Sequence, residues 1–150
     1  MPSIQLRLLS DRTRYAMVAV VAVLILVFSL SHTPVPMEDQ TEFCRQPGVI
    51  CLTEGPFGLV DADKWVHGFS YAGLTAVLAY AVVAPAEPPI RRRLGWVGIV
   101  AVSYGLLIEL LQWPTARELD PFDGLANTVG VLIVATLWWL TRSHVGFESK

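Results

Sequence analysis

Charged side chains are scarce in this chain of 150 residues, at 16% of the total. A soluble domain has about 25%. Hydrophobic residues make up 53%, and the mean hydropathy is +0.51. This balance argues against a soluble domain and indicates a membrane protein. With a net charge of −2 and three scattered histidines, the chain also lacks the basic surface that nucleic-acid binding requires.

Cysteine is nearly absent as well, with two residues, Cys44 and Cys51, in the stretch CRQPGVIC. Their separation matches no metal-binding motif, and Pro47-Gly48 between them is a turn signal. The stretch falls in a segment predicted below to lie outside the membrane, where disulfides persist. We expect a Cys44–Cys51 disulfide, with a free thiol pair as the alternative. The sequence also has no phosphate-binding glycine loop and no G-x-S-x-G nucleophile motif.

Long apolar runs are what the sequence has instead. About 20 apolar residues form a helix that spans a bilayer, and the runs do not alternate as barrel strands would. The sequence therefore predicts an all-α polytopic membrane protein, a single domain over residues 1–150 with four transmembrane helices. The predicted helices cover about 15–32, 65–84, 94–113 and 122–140, with an outer loop at 33–64.

Basic residues fix the predicted orientation. Eight of the eleven Lys and Arg residues lie before the first run, between the second and third, or after the fourth. The positive-inside rule then places both termini in the cytoplasm and the protein in the cell membrane. The first run, with Ser29-Leu30-Ser31 at its end, is also compatible with a cleaved signal peptide, although its length favours a retained helix.

Polar groups gather where the third and fourth runs meet, in IELLQWPTARELDPFDGLANTVG. Asp120, Pro121 and Asp123 have the spacing of an N-cap, an N1 proline and an acidic third position, which predicts the start of the fourth helix. The neighbouring helices carry two polar stripes, along which we expect the third and fourth helices to pack. The stripes are Gly105–Glu109–Gln112 and Asp123–Asn127–Gly130.

A second polar group begins the second apolar run with Asp63, Lys64 and His67. Charged groups inside a membrane are costly and usually face a bundle interior. With the helix directions set by the basic residues, His67, Glu109 and Asn127 all lie at the level of the outer membrane surface. We therefore expect His67, Glu109, Arg117, Asp123 and Asn127 to converge in one site.

The two groups together resemble the VanZ-like family of small membrane proteins, which includes a teicoplanin-resistance protein. The first motif of that family is similar to Asp63-Lys64-Trp65-Val66-His67. Its second is similar to Glu109 and Gln112, then Arg117, then Asp123, Asn127 and Gly130. The resemblance covers about residues 61–140, and the interval from Gln112 to Arg117 is shorter by one than the family pattern. It implies a four-helix membrane protein and defines no reaction.

Two functional interpretations stay open. In the first, the protein is an enzyme at the outer leaflet that acts on a membrane lipid or a lipid-linked cell-envelope precursor. The candidate acid–base groups are His67, Glu109 and Asp123, which together with Asp63 are also candidate metal ligands. The candidate substrate-binding residues are Asp63, Lys64, Gln112, Arg117 and Asn127.

In the second interpretation, the same residues form a satisfied polar network in a binding or assembly module that performs no chemistry. Transport ranks third, because the chain has only four predicted helices and no inverted repeat. No cofactor and no protein partner is identified by the sequence.

Overall fold

The structure is a computed structural model that describes residues 4–31, 62–85, 90–112 and 120–148. Within these residues the chain forms four helices and one pair of short strands, so the predicted helical class is confirmed. In chain order the elements are β1 (Ile4–Arg7), α1 (Asp11–Ser31), α2 (Ala62–Val82), α3 (Arg91–Gln112), α4 (Pro121–Thr141) and β2 (Val145–Glu148).

Three of the described helices, α1, α3 and α4, are long and apolar enough to cross a membrane, whereas α2 is not in this set. Their outward faces expose many large apolar side chains, among them Leu24, Phe28, Leu110 and Leu132. Soluble monomers rarely expose apolar patches on this scale. The composition and the surface therefore agree on a membrane protein.

Each helix begins earlier than the apolar runs predicted. The helix predicted from residue 15 begins at Asp11, that from 65 at Ala62, and that from 94 at Arg91, while α4 begins one residue early at Pro121. The first turns of α1, α2 and α3 are charged, and an apolar run cannot mark them. The helical ends agree with the prediction to within two residues.

Helix α2 lies at the centre of the bundle and packs most extensively against α4. The closest crossing is at Gly130, where a Cβ atom would overlap the backbone carbonyl of Gly68. The expectation that the two polar stripes pack α3 against α4 holds for Gly105 and Asn127, whereas Gly130 lies against α2. Gly105 of α3 faces this pair, next to the ring of Tyr71 and the amide of Asn127.

The described ends of the chain meet in a two-stranded parallel sheet that the sequence analysis did not predict. Its register runs from Ile4 opposite Val145 to Arg7 opposite Glu148. Aromatic rings cover it, since Phe147 stacks on Trp138 with ring centroids 6.0 Å apart. Strands of four residues at chain ends carry too short an alternation to be recognised. We call this end of the bundle the strand end. The opposite end, where α2 and α4 begin and α3 ends, is called the cluster end after the polar residues described below.

Candidate functional site

Most of the polar residues singled out by sequence gather at the cluster end, where α2 begins, α3 ends and α4 begins. The chain direction alternates between these helices, so residues far apart in sequence share one level of the bundle. We call the following group the polar cluster: Asp63, Lys64 and His67 of α2, Glu109 of α3, and Asp120, Asp123 and Asn127 of α4.

The start of α4 positions two of the carboxylates. Asp120 has an extended backbone, and its Oδ1 accepts a hydrogen bond from the backbone N–H of Phe122 at 2.9 Å. Pro121 occupies the first turn, where no N–H is needed. The predicted N-cap is therefore confirmed, and Asp123 follows in the first turn.

Lys64 is the cation of the polar cluster. Its Nζ donates to Asp120 Oδ2 at 2.6 Å, to Asp123 Oδ1, and to Asp63 Oδ2 at 3.3 Å. The Lys64 side chain is only 14% exposed, so it ties α2 to α4 in a partly buried ion-pair network. The hydrogen bond from Lys64, together with that from the Phe122 N–H, lowers the pKa of the Asp120 carboxyl below its ordinary value.

His67 contacts three members of the polar cluster. Its Nδ1 lies 3.2 Å from Asn127 Oδ1, and its Nε2 lies 3.5 Å from Asp123 Oδ2 and 3.8 Å from Asp63 Oδ1. An amide oxygen accepts, so in this amide orientation Nδ1 carries a proton. Nε2 then faces the carboxylates of Asp123 and Asp63.

Glu109 differs from the other carboxylates in having a buried oxygen, Oε1, without a hydrogen-bond partner among the described residues. Its side chain leans over the first turn of α4, since a Cβ atom on Gly124 would lie 3.5 Å from Oε1. Glu109 therefore offers the polar cluster a carboxylate oxygen that no described side chain or backbone group uses.

Gln112, on the same helical face as Glu109, goes to a different neighbour. Its Nε2 donates to the backbone carbonyl of Ser29 in α1 at 2.8 Å, and the residue is 7% exposed. The structure thus places Gln112 in the contact between α3 and α1. Arg117, Cys44 and Cys51 lie outside the described residues.

Asp63, His67 and Asp123 could hold a metal ion. One ligand atom from each lies within 4.8 Å of the other two. Two carboxylate oxygens and an imidazole nitrogen suit a divalent ion such as Zn²⁺ or Mn²⁺. Lys64 already binds Asp123 Oδ1, so an ion would compete with it for this carboxylate.

The described part of the polar cluster carries more negative than positive charge. Asp63, Asp120 and Asp123 all face the single ammonium group of Lys64. The arrangement can therefore bind a further cation.

Sequence reasoning missed the second role of Asp120, which it assigned to capping alone. The ion pair joins Lys64 to Asp120 across 56 residues, and no local spacing signals it. It also missed Gly68, whose carbonyl faces Gly130. A glycine one residue after His67 was the available signal for a close helix crossing.

No protein-family model matches the chain, and neither a curated protein nor a solved structure is detectably similar to it.

Proposed function

We propose that the chain is a VanZ-like multi-pass protein of the cell membrane, whose polar cluster acts on a lipid-linked or cell-envelope substrate at the extracytoplasmic face. In this proposal all four helices cross the membrane and both termini are cytoplasmic. The motif residues Asp63, His67, Asp123 and Asn127 support it, since they lie together although nothing in their local sequence requires it.

The observation that carries the proposal is the contrast between His67 and Glu109. His67 has one nitrogen held by Asn127 and the other directed at carboxylates. Glu109 has a buried oxygen that no described residue satisfies. Most buried polar atoms of a structural network have a hydrogen-bond partner, whereas an acid–base site needs a group that a substrate can engage.

The charge distribution supports the orientation. Arg7, Arg12, Arg14 and the series Arg91–Arg93 lie towards the strand end, whereas the polar cluster lies at the other end. A cytoplasmic strand end follows the positive-inside rule. The polar cluster then faces the extracytoplasmic side, and Arg117 is the residue proposed to bind the phosphate of a lipid-linked substrate.

Lipid analysis of the source organism tests the proposal. Strains carrying Glu109→Gln or His67→Gln should change the same lipid or lipid-linked precursor as deletion of the whole coding sequence. Glu148→Gln and His144→Gln, which make the same changes in exposed residues near the strand end, should leave it unchanged. If deletion alters a lipid that Glu109→Gln and His67→Gln restore fully, the polar cluster does not perform the chemistry.

A specific observation favours a second candidate, a binding or assembly module whose polar cluster stabilises the bundle. Lys64 is paired with three carboxylates and Gln112 with a backbone carbonyl of α1. Arg117→Lys separates the candidates, because lysine keeps the charge and loses the planar fork. A stable bundle without activity favours recognition of an anionic ligand, and an unstable bundle favours the structural network.

A further inference from the structure

A groove of about 780 Å³ lies between the outward faces of α3 and α4. This volume is within the range of small-molecule sites. Its lining is apolar or glycine except for Arg91 and three hydroxyl residues, and it includes no member of the polar cluster. The groove is therefore a separate feature of the surface that faces lipid when α3 and α4 cross a membrane.

The groove is as long as one leaflet is thick. It starts at Arg91, the first residue of α3, and reaches Ser103, twelve residues further along the helix. At 1.5 Å per residue this is about 18 Å, close to half of a hydrocarbon core of about 30 Å. An acyl chain that enters at the strand end would fill the groove, whereas a transmembrane helix would need a contact surface along the full span.

Missing side chains create the groove. A Cβ atom on Gly95 would meet no atom within 4 Å, and one on Gly98 would lie 3.7 Å from Val131 Cγ1, which forms the floor. Glycine in a membrane helix usually permits the approach of another helix. At Gly95 no described helix approaches, so the space beside it is open to an occupant from outside the chain.

The mouth of the groove is cationic and aromatic. The guanidinium of Arg91 lies 5.5 Å from the ring centre of Trp139, and both residues line the groove. Stacking on a ring uses the face of the guanidinium and keeps its N–H edge available to a phosphate. Trp is typical of the membrane interface, where lipid phosphates lie.

We propose that the α3–α4 groove binds one acyl chain of an anionic phospholipid, drawn from the leaflet at the strand end, and that Arg91 holds its phosphate. The inference requires only that α3 and α4 cross a membrane. It does not depend on what the polar cluster does.

Filling the groove is the first test. Gly95→Leu places a side chain in the groove, and Gly73→Leu is the matched control, an exposed helical glycine of α2 with equally open surroundings. The full chain is purified in mild detergent, and retained phospholipid is counted by native mass spectrometry. The wild type and Gly73→Leu should retain one phospholipid. Gly95→Leu should lose the bound phospholipid, because its side chain occupies the space that the acyl chain would fill.

Gly95→Val tests whether a loss of lipid in Gly95→Leu is caused by a folding defect. Its smaller side chain should give an intermediate loss of lipid with an unchanged elution profile and helical content. Retention by Gly95→Leu equal to that by Gly73→Leu would overturn the proposal. So would a wild-type dimer, free of bound lipid, that Gly95→Leu dissociates, because the groove would then be an interface between two copies.

Charge selection is the second test. In bilayer discs that contain phosphatidylglycerol and phosphatidylethanolamine with identical acyl chains, the wild type should carry away the anionic lipid preferentially. Arg91→Gln should reduce this preference by about fivefold, the effect of one basic residue at an anionic surface. Arg92→Gln removes a neighbouring charge that does not line the groove and should change the preference less. Equal preferences in the two variants would contradict the role of Arg91.

Discussion

At the cluster end, the ammonium group of Lys64 is surrounded by carboxylates, whereas at the strand end Arg91 and Arg93 lie against a ring and a backbone carbonyl, and Arg14 pairs with a single carboxylate, that of Asp11. Arg91 stacks on Trp139, and Arg93 donates to the carbonyl of Val82 at 3.3 Å. The contacts of Lys64 cancel its charge, and those of Arg91 and Arg93 do not. The first arrangement fixes helices relative to one another, and the second leaves positive charge for the membrane surface.

The two ends therefore use positive charge differently: Lys64 holds helices together, whereas Arg91 is available to bind a lipid headgroup. A cation held by three carboxylates has little attraction left for a lipid phosphate, so Lys64 is a poor candidate for headgroup binding and a good one for positioning α2 against α4. An arginine stacked on an interfacial tryptophan keeps its hydrogen-bonding edge. We therefore expect lipid headgroups to be recognised by arginines, Arg91 at the strand end and Arg117 at the other.

The largest expected effect concerns the orientation of the two ends in the membrane, because a cysteine at one end should react with an external thiol reagent and a cysteine at the other should not. In a background with Cys44→Ser and Cys51→Ser, a cysteine introduced at Thr115 should react with an impermeant thiol reagent in intact cells. One introduced at Ser143 should react only after the membrane is opened, because the strand end is proposed to be cytoplasmic. Labelling at position 143 and not at 115 would reverse the proposed topology.

The helix crossing below the polar cluster gives the next largest effect. Gly130→Ala would push a methyl group into the carbonyl of Gly68, and a backbone group cannot rotate away. We expect a loss of about 1–3 kcal/mol in the free energy of unfolding, towards the upper end, measured as a lowered midpoint of thermal unfolding in detergent. Helix separation should also break the contact between His67 and Asn127.

Gly68→Ala is the control on the other side of the same crossing. Its Cβ atom would lie 3.6 Å from the Ala126 carbonyl, an ordinary contact. Alanine is the better helix former by about 0.5–1 kcal/mol, so this variant should be neutral or slightly stabilised. If both substitutions destabilise equally, the crossing is not as close at Gly130 as the structure places it.

The helices, the N-cap at Asp120 and the level of the polar cluster in the bundle could be predicted from the sequence. Apolar runs identified every described helix, and three of these helices have the roughly 20 apolar residues that a membrane span takes. The N-cap at Asp120 was predictable because capping is local. The common level of His67, Asp123 and Asn127 followed from helix direction alone.

Which helix each residue would meet was not predictable. Spacing placed Glu109 and Gln112 on one face, yet Glu109 leans over Gly124 of α4 and Gln112 binds Ser29 of α1. A helical face is broad enough to touch two neighbours, and spacing does not choose between them. The pairing of Lys64 with Asp120 was hidden for the same reason.

Removing one cation from each end compares their contributions to stability, with smaller expected effects than the helix crossing. Lys64→Met leaves partly buried carboxylates without their counter-charge, and we expect a loss of about 1–3 kcal/mol. Arg93→Met removes an exposed cation whose contact is a backbone carbonyl, and should cost less than about 1 kcal/mol. Thermal unfolding of both variants in the same detergent measures the difference.

The double variant Lys64→Met with Asp123→Asn should recover part of the loss, because it removes an uncompensated charge. A cost for Arg93→Met equal to that for Lys64→Met would mean that the two ends do not differ in how they use positive charge.

The smallest expected effect isolates the charge of Asp120 from its capping role. Asparagine caps a helix as well as aspartate does, so Asp120→Asn keeps the hydrogen bond from the Phe122 N–H and loses only the ion pair with Lys64. The pKa of Asp120 is lowered in the folded protein, so its stabilising contribution is complete above the unfolded value of about 3.9. It is lost as the pH falls through the folded value. Because the side chain is 37% exposed, solvent screening should hold the contribution below about 1 kcal/mol.

The unfolding midpoint of the wild type should therefore fall more steeply below pH 4 than that of Asp120→Asn, and the two curves should converge at the acid limit. Asp120→Ala, which loses the cap as well, should lie below both at every pH. If Asp120→Asn and the wild type keep a constant separation down to the lowest pH, the carboxylate charge is not what links Asp120 to Lys64. The cluster end would then be held by hydrogen bonding and packing alone.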